Sequence, residues 1–112
     1  MKIDTRTVGD VHILDCSGKL ILGQGTMIVR TTVLDILKIG GKKIILNFAD
    51  VNYIDSPGVG ELVSTYTTVA SQGGQLKLLC LTKKVQEIMA ITRLMGIFQA
   101  FDDETASIAS FA

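Results

Sequence analysis

The chain has no tryptophan, one proline (Pro57), one histidine (His12) and two cysteines (Cys16 and Cys80) among its 112 residues. A single histidine and two cysteines with no short Cys/His spacing do not make a zinc-binding pattern, so no metal is expected. Each cysteine sits inside an apolar run, where a reduced thiol packs as a small hydrophobe. A disulfide framework is not expected, because the first residues carry no apolar h-region or small-residue cleavage site for export. That places the protein in the cytoplasm as an expectation. Eleven basic and eleven acidic side chains cancel. Without a net positive field, a general pull on nucleic acid or anionic lipid is not expected, and specific protein partners fit better. Long hydrophobic runs are missing too: the densest, over 43–49 and 76–81, fall far short of the ~20 residues of a spanning helix, which excludes membrane insertion by that route.

Apolar residues nevertheless make up 47% of the chain, and the mean hydropathy is +0.41. A chain of this length buries roughly two-thirds of its unfolded surface, enough for one core, and one domain is expected over 1–112. Residues 2–7 and 11–17 form strands paired through the Gly9-Asp10 turn, after which the chain turns at Gly18. Helical spacing of Val29, Val33, Ile36 and Leu37 predicts a helix over 26–39, stopped by Gly40-Gly41. Residues 43–49 show little alternation, as in a central strand covered on both faces. After a loop over 50–55, Val59, Leu62, Val63, Tyr66, Val69 and Ala70 mark one face of a second helix that ends at Gly73-Gly74. A buried strand follows over 76–81. Thr82 then caps a third helix with Val85, Ile88, Met89 and Thr92 inward. A strand over 97–101 and a short helix opened by Asp102-Asp103-Glu104 complete the order ββαβαβαβα. This is an α/β chain with a mixed sheet of about five strands and helices packed on it through right-handed crossovers. Such folds carry many functions, so function must come from a site.

The candidate site is the stretch Asp50-Val51-Asn52-Tyr53-Ile54-Asp55-Ser56-Pro57-Gly58-Val59-Gly60-Glu61. Pro57 suits the first position of a helix, since its missing N–H is one the helix leaves unpaired, and that makes Ser56 the N-cap. Gly58 and Gly60 cost helix stability by up to ~1 kcal/mol each relative to alanine. Two of them in the first turn suggest a close approach to the backbone by a phosphate or a partner surface. A phosphoryl group on Ser56 would sit at the positive end of the helix, opposed by the charge of Asp55.

The segment Tyr53-Ile54-Asp55-Ser56-Pro57-Gly58-Val59-Gly60 resembles the aspartate-serine-x-glycine-aliphatic-glycine signature of the STAS family, specifically its bacterial anti-sigma factor antagonists. The similarity extends to the strand Lys43-Ile44-Ile45-Leu46-Asn47-Phe48, the Gly73-Gly74-Gln75-Leu76 turn and Leu94-Met95-Gly96-Ile97-Phe98. It implies a single STAS-type domain that catalyses nothing and carries no cofactor. The resemblance further implies a protein that binds a serine-kinase anti-sigma factor, frees a sigma factor, and is inactivated when the kinase phosphorylates the signature serine, here Ser56. Asp55, Ser56, Pro57, Gly58, Val59 and Gly60 would then form the partner-binding face. Two departures stand out. Ile21 and Leu22 follow Gly18-Lys19-Leu20 where members often carry an acidic residue, and periodicity alone leaves Leu20, Ile21 and Leu22 as either core or interface. Pro57 replaces the second hydroxyl residue of many members, so Ser56 has no neighbouring substitute.

Rival uses of the same residues are weaker. A hydrolase built on Ser56, His12 and Asp55 lacks the Gly-x-Ser-x-Gly elbow. A nucleotide site at Gly58-x-Gly60 lacks a third glycine, since Val63 stands there, and no Gly-Lys-Ser/Thr follows. The remaining alternative is a non-switching STAS scaffold or accessory subunit of a stress-signalling or lipid-transport complex.

Overall fold

Uninterrupted apolar strands separated by amphipathic helices dictate a layered arrangement, and the computed structural model, which describes residues 1–112, has it. The elements are β1 (Lys2–Val8), β2 (Val11–Leu20), α1 (Gln24–Lys38), β3 (Lys43–Ile54), α2 (Ser56–Ser71), β4 (Gln75–Leu79), α3 (Lys83–Thr92), β5 (Ala100–Phe101) and α4 (Glu104–Ala109). The five strands lie in the order β1-β2-β3-β4-β5, with β1 antiparallel to β2 and the other pairs parallel. Each parallel crossover advances one strand in the same direction, and a constant right hand therefore puts α1, α2 and α3 on one face. There Leu14, Leu20, Ile44, Leu46 and Phe48 meet Val29, Val33, Leu62, Val69, Val85 and Met89 in the main core. The opposite face presents Val11, Ile13, Ile45 and Leu79, covered by Phe111 and Ile108 at the C-terminal end. That is why Ile44-Ile45-Leu46 shows no polar alternation: successive side chains enter different cores. No helix is long and apolar enough to cross a membrane.

Two cations clip α4 to this second face. Arg6 donates through Nε to Asp15 Oδ2 at 2.8 Å and through Nη1 to Glu104 Oε2 at 3.1 Å, at the start of α4. Lys77, buried in β4, donates through Nζ to the Ser110 carbonyl at 3.0 Å and to its hydroxyl at 2.7 Å, with the Phe111 ring 4.3 Å away.

Several expected boundaries move. The chain does not turn at Gly18: β2 continues to Leu20, and Gly18, at φ +102°, sits where the pairing with β3 slips by a residue. Residues 50–54 are strand rather than loop, because the prolonged β2 pairs with them at Ser17↔Asp50, Gly18↔Val51, Lys19↔Tyr53 and Leu20↔Ile54. The strand expected over 97–101 shrinks to Ala100–Phe101 behind a 3-10 turn at Met95–Ile97. Leu94, Met95 and Phe98 all pack on the main core, a spacing that an extended strand cannot present to one side. On α2, Val63 and Tyr66 are half-buried and Ala70 is exposed, while Glu61 and Thr65 are buried instead. Cys16 is buried as expected, and Cys80 is only half-buried.

Candidate functional site

The two longest strands run parallel and end together, delivering Leu20 and Ile54 side by side. Immediately beyond, Asp55 leaves the strand in an extended conformation and caps α2: its Oδ1 accepts a hydrogen bond from the Gly58 N–H at 2.7 Å. Asp55, not Ser56, is therefore the N-cap. Ser56 is the first helical residue and Pro57 the second, where a missing N–H is also tolerated because no first-turn amide has an intrahelical acceptor. The other carboxylate oxygen of Asp55 accepts from the Leu22 N–H at 3.0 Å, and the Asp55 N–H donates to the Leu20 carbonyl at 3.3 Å. One residue thus joins the end of β2, the loop before α1 and the start of α2.

The two signature glycines have different causes. A Cβ on Gly58 would stand 2.3 Å from the Leu20 carbonyl oxygen and 2.8 Å from Ile54 Cγ1, so the close approach to its backbone comes from this chain rather than from a ligand or partner. A Cβ on Gly60 would meet nothing within 4 Å. The fold requires the first glycine and leaves the second unexplained.

Of the six expected contact residues, Ser56, Pro57 and Gly60 are exposed, Asp55 is half-buried, and Gly58 and Val59 are buried. The apolar run before α1 divides: Leu20 is wholly buried, whereas Ile21 is 38% and Leu22 70% exposed. Met27, in the second turn of α1, is 63% exposed. A serine hydroxyl thus shares an open surface with an apolar loop tip, next to a helix turn with no side chain at Gly60.

Below this surface lies a pair that sequence reading missed. Glu61 is buried between α1 and α2, where its Oε1 accepts from Arg30 Nε at 3.1 Å and its Oε2 from the Thr65 hydroxyl at 3.0 Å. The pairing holds the Arg30 guanidinium more firmly protonated than usual. Helical spacing offered a signal, since Glu61 falls on the same side of α2 as Leu62 and Thr65.

Other chemistries lack their parts here. His12 pairs with Ile44 while Ser56 follows Ile54, so the two lie at opposite ends of β3, roughly 30 Å apart at ~3.3 Å per residue. No serine-histidine pair forms. The first-turn amides that would cradle a nucleotide phosphate are depleted, because Pro57 has none and that of Gly58 is held by a carboxylate. There is no group of three or more His, Cys, Asp or Glu side chains placed to hold a metal ion. Burial pushes the Cys16 thiol up to about 12, and burial together with Asp102, Glu104 and Asp103 raises that of Cys80, which keeps both thiols protonated at neutral pH.

Comparison with known proteins meets this geometry. The family model described as STAS domain matches residues 2–107. A candidate anti-sigma factor antagonist of Thermotoga maritima is 29% identical over 97 residues, which cover 87% of this chain and 86% of that protein. A crystal structure named likewise, from the same organism, superimposes with a TM-score of 0.87 at 28% identity, covering 96% of this chain and 92% of that one. The anti-sigma-B factor antagonist of Bacillus subtilis is 44% identical over 48 residues, 43% of this chain and 44% of its own. The fold is also that of the Bacillus protein SpoIIAA. Its unphosphorylated form has a TM-score of 0.81 at 20% identity, with 98% of this chain and 96% of that one covered. Its phosphorylated form has 0.75 at 18%, with 99% and 100% covered.

Proposed function

The chain belongs to the STAS domain family, and we propose that it acts there as an anti-sigma factor antagonist, a non-enzymatic cytoplasmic switch that binds a serine-kinase anti-sigma factor until Ser56 is phosphorylated. The observation that carries the proposal is the exposed Ser56 in the first turn of α2, beside the exposed Leu22 and Gly60. A kinase can reach such a hydroxyl, and a partner can cover the surface around it. ATP and magnesium belong to the kinase; this chain supplies the acceptor oxygen and the docking face.

The switch works through charge. A phosphoryl group adds roughly −1.5 to −2 charges at neutral pH. At most helix N-termini free amides would absorb much of that charge. Here Pro57 has no N–H, Gly58 donates to Asp55, and the Asp55 carboxylate repels a second anion. The phosphoryl group stays on the surface as uncompensated charge. A partner surface that buries Leu22 must then desolvate that charge, and about 2.7 kcal/mol of opposition already weakens binding a hundredfold. The fold itself needs no rearrangement. SpoIIAA shares this fold in both its phosphorylated and unphosphorylated forms, which agrees with a switch of that kind.

Incubation of the wild-type and Ser56→Ala proteins with the serine-kinase anti-sigma factor and Mg-ATP, followed by peptide mapping, tests the proposal. One phosphoryl group on Ser56, absent from the variant, is expected. A stable complex that forms equally with the kinase treated or untreated by ATP, with Ser56 unmodified, would turn the assignment toward a constitutive scaffold.

A further inference from the structure

We infer that Asp55 is a positioning residue that fastens the 21–22 loop to the start of α2, so that Leu22 and Ser56 are presented as one rigid surface. What that surface meets rests on the function proposed above; the fastening itself does not.

The argument starts from what else could hold the loop. Leu22 has a side chain 70% exposed, so burial does not fix it. The far side of the loop is fastened to α1: the Thr26 N–H donates to the Ile21 carbonyl at 3.2 Å, and the Gly23 N–H donates to the Thr26 hydroxyl at 3.2 Å. Neither bond relates the loop to α2. The bond from the Leu22 N–H to Asp55 Oδ2 does, and its acceptor is a carboxylate, which makes a stronger bond than a neutral oxygen. The same carboxylate holds the Gly58 N–H, and the Asp55 N–H holds the Leu20 carbonyl. Gly58 packs against that carbonyl without a side chain between them. Two bonds from Asp55 therefore cross to residues 20–22 and a third fixes it to α2, so the exposed apolar tip inherits the position of the helix that carries Ser56.

The division of the carboxylate gives a selective test. In Asp55→Asn the amide oxygen still accepts from the Gly58 N–H, since asparagine is as good an N-cap as aspartate, but the amide nitrogen cannot accept from the Leu22 N–H. Amide hydrogen exchange followed by NMR reads both bonds separately and requires no partner. In the wild-type chain the Leu22 amide is expected to exchange at least about tenfold more slowly than its unstructured rate, despite its exposed side chain. In Asp55→Asn it accelerates about tenfold or more while Gly58 and the β3 amides keep their rates; in Asp55→Ala both Leu22 and Gly58 accelerate. A wild-type Leu22 amide at the unstructured rate overturns the inference, even if the variants fail to fold. So does an Asp55→Asn protein in which neither Leu22 nor Gly58 accelerates, or in which the two accelerate equally. Failure of the chain to bind a serine-kinase anti-sigma factor would sink the proposed function and leave this result standing.

Discussion

Gly58 packs so closely on Leu20 that a side-chain carbon added to it would stand 2.3 Å from the Leu20 carbonyl oxygen. The contact is between two backbones, so no rotamer change relieves it.

Gly58→Ala is accordingly expected to destabilise the protein by about 1–3 kcal/mol, the usual cost of forcing a carbon into a filled space. Gly60→Ala, two residues along the same helix, has room for its methyl group and should stabilise by about 0.5–1 kcal/mol, the helix-propensity gain over glycine. Urea unfolding of both variants checks the pair. If Gly60→Ala is stabilising yet weakens binding to the serine-kinase anti-sigma factor, the bare turn at Gly60 serves the docking surface; unchanged binding would remove Gly60 from it.

Ser56→Glu places permanent negative charge on the same surface, without the full charge of a phosphoryl group. The expected outcome is binding to the kinase weakened about tenfold or more, equivalent to ~1.4 kcal/mol, with an unchanged thermal midpoint, because the charge acts on the surface and not on the core. Isothermal titration calorimetry and a melting curve measure the two quantities. Wild-type affinity in Ser56→Glu would count directly against a charge-operated switch.

Acid should loosen α4 through Arg6. Its hydrogen bonds hold the carboxyls of Asp15 and Glu104 below their ordinary values. Lowered carboxyl values mean that the stabilisation is complete above the unfolded-state values near pH 4 and is lost as pH falls through the lower folded ones. The side chains are 37–40% exposed, so the effect is about 1 kcal/mol or less and is screened by salt. Compared with Arg6→Gln, the wild-type protein should lose stability more steeply below about pH 4, and the two urea midpoints should converge there. Parallel curves would show that the Arg6 pairs contribute nothing to folding.

The order of elements was legible because each helix and strand carries its own apolar spacing, which short-range rules read. What sequence reading misplaced depends on partners far along the chain. Aspartate and serine are equally good N-caps, and the proline rule favoured Ser56. Asp55 takes the Gly58 amide, and the bond that holds the same carboxylate from its other side, from the Leu22 amide 33 residues away, is in no local pattern. Glu61 reads in the sequence only as the end of the candidate stretch, because its partner Arg30 lies 31 residues away. The serine expected to carry the switch is exposed beside the loop whose apolar residues periodicity left undecided, and only burial separated Leu20 from Leu22.

Lys77 supplies the reverse pH dependence. It is buried in β4 with no carboxylate partner, only the oxygens of Ser110 and the rings of Phe111 and Phe101, and burial lowers its pKa. Between that lowered folded value and the ordinary value near 10.4, the unfolded chain binds the extra proton, so folding becomes more favourable as pH rises through the window. Lys77→Met keeps most of the stem's packing and removes the desolvated charge. The variant should be as stable as the wild type or more so at neutral pH, as when a buried ion is replaced by an apolar side chain of similar shape. Its advantage should shrink as pH rises toward the ordinary lysine value, because the folded wild-type lysine gives up its proton before the unfolded chain does. Paired urea titrations of the two proteins over the alkaline range isolate the contribution of Lys77. A gap that widens with pH would mean that the ammonium in contact with Ser110 and Phe111 stabilises the fold as a cation, and a constant gap would mean that the attraction of the ring and the carbonyl just offsets the loss of water; either overturns the prediction.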